Sequence, residues 1–182
     1  QASLKPLLRF SSVGEVHQRS IELLDAVAYT IKMSYKGVRD IDGYLPYVVP
    51  PLEGFWWQAG VQGVDYAHKA SFQWISVIRL PDFVAESDLE WAKAEAARKK
   101  KMDFSPVEFL SVNEGLCVQA MHLGPFDEEP KTVARMEEFL GEQGYVSDFS
   151  DSRMHHEIYL SDVRRVTPDK YRTVIRHPIK KR

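Results

Sequence analysis

Two segments of this chain, 74–81 and 171–178, carry the same pattern. They read WISVIRLP and YRTVIRHP, so that Val-Ile-Arg-x-Pro is identical in both, with an aromatic and a small hydroxyl residue at matching places. One short match indicates duplication only weakly, but the order of predicted elements before each segment repeats as well. The sequence therefore predicts two similar modules, which restricts the folds that are open to it.

Hydrophobic periodicity predicts a strand, a helix and two further strands in each half. In the first half these elements are expected over 4–10, 15–35, 53–59 and 71–80. In the second half they are expected over 116–123, 128–141, 154–160 and 170–177. Each half is thus a β-α-β-β module.

A further helix is predicted between the halves. Ser87 and Glu90 have capping-box spacing, and the segment after them is rich in helix-forming residues. We expect one domain, 1–182, whose halves and linker helix cover 1–85, 115–182 and 86–102. The predicted class is α+β: duplicated β-α-β-β modules forming an antiparallel sheet, with helices on one face and a ligand cleft between the halves.

Composition restricts the partners of this protein. The net charge is −2 and the basic runs are short, so neither nucleic acid nor a membrane is expected as a partner. Cys117 is the only cysteine, which excludes intrachain disulfides and zinc sites with several thiolates. No apolar run of about 18 residues appears, so we expect a cytoplasmic protein. No P-loop or Gly-x-Gly-x-x-Gly pattern occurs either, and no cofactor is expected. A homodimer is left open.

The stretch HHEIYLSD at 155–162 concentrates the most chemistry. Alternate side chains of a strand share a face. One set is mostly apolar and is expected to meet the helices: Met154, His156, Ile158 and Leu160. The other set is polar and aromatic and is expected to line the open face: His155, Glu157 and Tyr159.

The strand over 53–59 repeats this combination. Glu53, Phe55 and Trp57 share a face, so both strands present a carboxylate with an aromatic residue nearby. Aromatic walls offer stacking area and cation–π attraction, and a carboxylate orients or neutralises a cation. Partial burial would also let such a carboxylate act as a general acid or base. The alternative, a plain surface glutamate, stays open for Glu53 and Glu157.

A metal site is not expected. His155 and Glu157 could contact one ion, but a stable site usually needs a third protein ligand, and His122 is the only nearby suggestion. The spacing also differs from the His-Glu-x-x-His pattern of metalloproteases.

Four segments resemble the GyrI-like small-molecule-binding family. They are AYTIKM at 28–33, PPLEGFWW at 50–57, HLGPFDEEP at 122–130 and HHEIYLSD at 155–162. The Gly-Pro-aromatic turn and the Glu-Ile-Tyr strand are general to that family. The full second and fourth segments, PPLEGFWW and HHEIYLSD, resemble one branch of the family, whose members are standalone domains.

The resemblance implies the duplicated fold and the ligand cleft described above. Related domains bind hydrophobic and cationic drugs, often as effector modules of transcription regulators, and Glu157 matches their usual pocket acid. Members that resemble the standalone branch include hydrolases that open the cyclopropane ring of DNA-alkylating natural products, with a pocket glutamate and tyrosine between aromatic walls.

We therefore expect binding of flat hydrophobic or cationic drug-like ligands, for detoxification, with hydrolysis of cyclopropane-bearing alkylators as a further hypothesis. The candidate catalytic residues are Glu157, Tyr159 and Glu53. The candidate ligand-binding residues are Trp56, Trp57, Phe55, Tyr29, Met33, His122, Phe126 and His155. The alternatives are a non-catalytic sensing or sequestering module and a gyrase-inhibitor-like protein. An effector domain of a DNA-binding regulator is least favoured, because no helix-turn-helix segment precedes the domain.

Overall fold

The computed structural model describes residues 5–10, 17–37 and 39–182. Its strands are β1 (Lys5–Phe10), β2 (Leu52–Gln58), β3 (Phe72–Arg79), β4 (Val107–Val112), β5 (Cys117–Leu123), β6 (Tyr145–Ser147), β7 (His155–Tyr159) and β8 (Arg172–Lys181). Its α-helices are α1 (His17–Lys32), α2 (Glu86–Lys100) and α3 (Glu129–Gln143). Among the described residues, none of these helices has the length and apolar character needed to cross a membrane.

The predicted elements are confirmed where they can be compared. The orders β1-α1-β2-β3 and β5-α3-β7-β8 are the two expected β-α-β-β modules, and the repeated Val-Ile-Arg segments lie in β3 and β8. Leu4 and Glu15, predicted at element ends, lie outside the described residues. The short strands β4 and β6 were not expected. β4 forms because it pairs with β1 along its whole length.

The predicted capping box is wrong by two residues. α2 begins at Glu86, and the backbone N–H of Ala85 donates to the carboxyl of Asp88 over 3.0 Å. That carboxyl also accepts from the Arg39 guanidinium over 2.9 Å. Asp88 therefore serves both the helix start and a contact with another segment, which Ser87 and Glu90 do not.

The described chain forms two compact units. Unit 1 takes the described residues of 3–52 and 75–113, and unit 2 takes 53–74 and 114–182. In unit 1 the antiparallel strand order is β4-β1-β3. α2, which was predicted as a linker, packs on α1 there. The core of this unit includes Leu8, Leu24, Ile31, Ile78 and Leu89.

In unit 2 the antiparallel strand order is β2-β7-β8-β5, and β6 pairs with the end of β8. α3 packs on β5 and β6. It buries Met136 and Leu140, while Ile175 of β8 is fully buried. β7 is thus an interior strand, with a hydrogen-bonded neighbour on each side. The α+β class with antiparallel strands is confirmed, and a ligand cleft between the halves stays a prediction.

Candidate functional site

One face of β7 gathers the polar and aromatic side chains of unit 2. The β2–β7 register pairs Trp56 with His155 and Gly54 with Glu157, and directly paired residues of neighbouring strands share a face. A Cβ atom on Gly54 would lie 2.8 Å from both the Tyr159 hydroxyl and the Trp56 Nε1. The glycine therefore makes room for these two groups to meet beside Glu157.

Glu157 is the centre of this face. It is buried, and its Oε1 lies 2.7 Å from the Nε2 of His155. It also accepts hydrogen bonds from the Tyr159 hydroxyl and from Glu129, the first residue of α3. Trp56 Nε1–H in turn donates to the Tyr159 oxygen over 2.9 Å. Two strands and one helix thus hold a single carboxylate in place.

The two contacting carboxyls have opposite protonation preferences. Burial and the charge of Glu157 raise the pKa of Glu129 to about 9, so Glu129 keeps its proton at neutral pH. Burial acts to raise the pKa of Glu157 too, but hydrogen bonds from His155, Tyr159 and Glu129 outweigh it and lower that pKa. One carboxylic acid and one carboxylate therefore lie side by side, the arrangement that general acid–base catalysis uses.

A second histidine extends the site beyond His155. The Nδ1 of His155 lies 2.7 Å from the Nε2 of His177 on β8. Burial, together with His155, lowers the pKa of His177 to about 3, so His177 is neutral. The chain Glu157–His155–His177 is therefore a continuous run of hydrogen bonds through the interior of unit 2.

Aromatic rings surround the polar cluster. Trp56 stacks on Trp74 at 5.6 Å between ring centroids and meets Phe72 edge-on at 5.9 Å. Phe126 meets Tyr159 edge-on at 6.0 Å. Tyr66 brings a buried hydroxyl without a hydrogen-bond partner among the described residues, and its pKa is raised by burial and by the charges of Glu129 and Glu157.

The opposite face of β7 carries a different cluster. His156 lies 2.7 Å from Glu53 through Nε2 and 2.6 Å from Glu114 through Nδ1. Burial acts to lower the pKa of His156, but the hydrogen bonds to Glu114 and Glu53 outweigh it and raise that pKa. Arg176 adds a second cation, 2.8 Å from Glu114. This is a charge-compensated group of four side chains.

Two predictions about the faces are therefore wrong. Glu53 pairs with Ile158, so it cannot assist Glu157 from the same face. Phe55 stacks on His156 at 4.2 Å, and by strand alternation Trp57 shares that face with Phe55. The helix also lies on the Glu157 face rather than on the His156 face, because Glu129 of α3 contacts Glu157.

Of the remaining predicted residues, His122 has another task, and Tyr29 and Met33 belong to unit 1. His122 is buried, with Nδ1 2.9 Å from the Thr132 hydroxyl and Nε2 3.0 Å from the Pro125 carbonyl, so one nitrogen contacts α3 and the other contacts the turn before it. Tyr29 lies on α1 in unit 1 with 57% of its surface exposed, and Met33 follows that helix. His155, Tyr159, Trp56 and Phe126 are the predicted residues that the structure brings around Glu157.

Sequence reasoning missed Glu129, Tyr66 and His177. Glu129 carried a signal, since it stands in the quoted HLGPFDEEP segment directly before the proline that marks the first helical turn. His177 lies inside a repeated segment. Tyr66 carried none, because it follows a loop whose path no local pattern predicts.

Glu129, His155 and Glu157 offer ligand atoms within 4.8 Å of one another, which is close enough for one metal ion. His122, the third ligand considered from the sequence, is not in this group. The atoms of the three residues already bond to one another, with His155 Nε2 to Glu157 at 2.7 Å and Glu129 to Glu157. We interpret the group as an acid–base cluster rather than as a set of metal ligands.

Several solved structures are similar to this chain. An uncharacterized conserved protein from Listeria innocua is 45% identical, with a TM-score of 0.87 over 97% of this chain and 88% of that one. A hydrolase from Listeria innocua is 43% identical, with a TM-score of 0.85 and the same coverage. The EcmrR C-terminal domain, at 12% identity, shares the fold with a TM-score of 0.56 over 98% of this chain and 93% of that one.

A search of curated proteins found no match. The sequence model of the GyrI-like small molecule binding domain matches residues 18–180, nearly the whole chain. The chain therefore belongs to the family of GyrI-like small-molecule-binding domains.

Proposed function

We propose that this protein binds flat, hydrophobic or cationic drug-like molecules beside Glu157 and hydrolyses strained electrophiles such as cyclopropane-bearing DNA alkylators, as a detoxifying enzyme. The observation that carries the proposal is the pair of buried carboxyls, Glu129 protonated and Glu157 ionised. A binding site needs one acid to attract a cation. A second acid that keeps its proton at neutral pH adds the donor that hydrolysis requires.

The proposed reaction uses both carboxyls. Glu157 takes a proton from a water molecule, and the water oxygen forms a bond to a ring carbon. The ring C–C bond breaks and its electron pair moves to the conjugated carbonyl oxygen, which takes the proton of Glu129. The proton on Glu157 then passes to Glu129 along their hydrogen bond, which restores the starting state.

Two further groups support the base. Tyr159 donates to Glu157 and is itself held by Trp56, so the carboxylate has a fixed orientation. The Tyr66 hydroxyl and the Oε1 of Glu129 are buried polar atoms next to this base, and neither has a hydrogen-bond partner in the described part of the chain. Buried polar atoms usually have a partner, so both are suited to contact a substrate or the attacking water.

Ligand selection rests on the aromatic rings. The Trp56–Trp74 stack and the edge of Phe72 suit a flat ring system, which aromatic stacking favours. The charge on Glu157 suits a cation among these rings. The similar protein from Listeria innocua that is described as a hydrolase supports turnover over binding alone.

The test is incubation with a cyclopropane-bearing alkylator, followed by mass spectrometry for the addition of one water. We expect turnover by the wild type and a loss of about 100-fold or more in Glu157→Gln, the range of general base catalysis. Glu53→Gln is the matched control, since it makes the same change on the opposite face of the strands, and it should keep turnover within about threefold.

The alternative, a module that only binds, gives a different result. Saturable quenching of Trp fluorescence by the same compound without any addition of water would support binding and refute hydrolysis. Equal turnover by the wild type and Glu157→Gln would remove Glu157 from the role of base.

A further inference from the structure

His155 connects Glu157 to the interior of unit 2. Only 1% of the residue is exposed, and each of its ring nitrogens has a buried neighbour. Its Nε2 lies 2.7 Å from the Glu157 carboxylate, and its Nδ1 lies 2.7 Å from the Nε2 of His177 on β8. Both distances are those of hydrogen bonds, so the protons of the two imidazoles must satisfy both contacts at once.

Two arrangements of the protons satisfy these contacts, and they differ at the Nδ1 of His177. If His155 is neutral, it donates to Glu157 and accepts from His177, which leaves the His177 Nδ1 with a lone pair. If His155 is an imidazolium, it donates to both neighbours, and the His177 Nδ1 carries a proton. The surroundings of that nitrogen therefore indicate the charge of His155.

The Nδ1 of His177 faces an acid. This atom is buried and has no hydrogen-bond partner among the described residues, and a carboxylate oxygen of Glu137 on α3 lies 3.9 Å from it. Nearby, the charges of Asp148 and Lys180 balance each other over 2.8 Å. A carboxylate repels a lone pair and attracts an N–H group, so the geometry favours the arrangement in which His155 is charged.

The groups packed around His155 agree with a positive charge on it. Burial acts to raise the pKa of Glu157, whereas the hydrogen bond and the charge of His155 act to lower it. Burial and that same charge lower the pKa of His177 to about 3. Glu129, whose carboxyl lies within 4.8 Å, keeps its proton, and Trp56, the paired residue on β2, is uncharged. Glu157 is thus the ionised acid that His155 balances.

We infer that His155 is an imidazolium at neutral pH and that His177 is a positioning residue for the proposed base. By accepting the second N–H of His155, His177 allows a buried cation beside Glu157, and that cation keeps Glu157 ionised and oriented. His177 therefore acts on the reaction through His155. The inference rests on the proposed role of Glu157 as the base, but the charge of His155 can be measured without turnover.

¹⁵N NMR of histidine-labelled protein at pH 7 tests that charge directly. We expect protons on both ring nitrogens of His155, and on one nitrogen of His177. A His155 with one protonated and one bare nitrogen would overturn the inference, whether or not any compound is hydrolysed. If His155 is charged but no cyclopropane-bearing compound gains water, the proposed hydrolysis fails and the charge of His155 stands.

Two variants of His177 test its role as an acceptor. His177→Phe keeps a ring of similar size but removes the acceptor, so His155 should lose its second proton and become neutral at pH 7. His177→Gln offers an amide oxygen in place of Nε2 and should restore the imidazolium. A His155 that stays charged in His177→Phe would show that His177 does not hold the charge.

The pH profile of turnover separates positioning from a structural effect. Without a cation beside it, Glu157 should need a pH about 1–3 higher to stay ionised. Between pH 5 and 7, kcat should be constant in the wild type and in His177→Gln, but it should fall with decreasing pH in His177→Phe. An equal reduction at every pH in His177→Phe would contradict the inference. If that variant does not fold, the ¹⁵N spectrum of the wild type decides alone.

Discussion

The two faces of β7 carry buried histidine–carboxyl clusters that differ in their charge. On one face, His156 lies between Glu53 and Glu114, with Arg176 as a second cation. On the other face, two carboxyls share a proton and the histidine beyond them is neutral. In the first cluster the positive and negative charges balance, whereas the second cluster contains more acidic groups than cations.

That difference separates a structural group from a reactive one. Buried ions are tolerated when partners satisfy them, and the His156 cluster has such partners on both ring nitrogens. In the Glu157 cluster, Glu129 and Tyr66 each have a buried oxygen without a hydrogen-bond partner among the described residues. The pKa values of its two neighbouring acids are also shifted in opposite directions. Perturbed acids of this kind concentrate at functional sites.

The largest expected difference between the faces is in turnover. Glu129→Gln removes the proton donor but keeps the shape of the side chain, so hydrolysis should fall by about 10²–10⁴-fold. Glu114→Gln makes the same change on the compensated face and should stay within about threefold. If the rates measured by mass spectrometry fall equally in both variants, the two faces of β7 do not differ in function.

The effect on stability should be the reverse of the effect on turnover, with the larger loss in the variant on the His156 face. Glu53→Ala leaves His156 with one carboxyl partner and should lower the free energy of unfolding by about 3–5 kcal/mol, as for a broken buried pair. Glu129→Gln removes a carboxyl that must take up a proton on folding at neutral pH, so it should leave the free energy of unfolding unchanged or raise it. Urea denaturation followed by Trp fluorescence measures both, and a larger loss in Glu129→Gln would contradict the comparison.

The smallest expected difference between the two clusters is in how they make stability depend on pH. A histidine with a raised pKa stabilises the fold below its unfolded pKa of 6.5, and that stability is lost as the pH rises through the folded pKa. A carboxyl whose pKa rises from 4.5 to about 9 costs stability as the pH rises across that range. Unfolding free energies from pH 5 to 9 should therefore fall in the wild type.

Two variants separate these contributions. Glu129→Gln should flatten the part of the decline that begins near the unfolded carboxyl pKa of 4.5, and His156→Gln should flatten the part above 6.5. Identical pH profiles for the wild type and Glu129→Gln would show that Glu129 does not hold a proton into the neutral range.

Strand positions and shared faces could be predicted from the sequence, because alternation with a period of two is a local property. His155, Glu157 and Tyr159 were placed together, and two hydrogen bonds to Glu157 join them in the structure. The pairing of β2 with β7 could not be predicted, since a shift of one residue exchanges the two faces. Glu53 was therefore assigned to the wrong side.

The helix side of the sheet was predicted wrongly for a related reason. His155, Glu157 and Tyr159 read as a solvent-facing set because they are polar, yet hydrogen bonds let polar groups be buried under a helix. The partner that makes this possible is Glu129, which is 28 positions from Glu157 in the chain. No local pattern reports a contact over that distance.

The central claim is that Glu129 is protonated beside an ionised Glu157. ¹³C NMR of carboxyl-labelled glutamate measures this directly, with Glu129→Gln and Glu157→Gln to assign the two resonances. At pH 7 we expect one protonated resonance, absent from Glu129→Gln, which titrates near pH 9. If both carboxyls titrate together near pH 4.5, the ordinary value of a glutamate, the proposed acid–base pair does not exist.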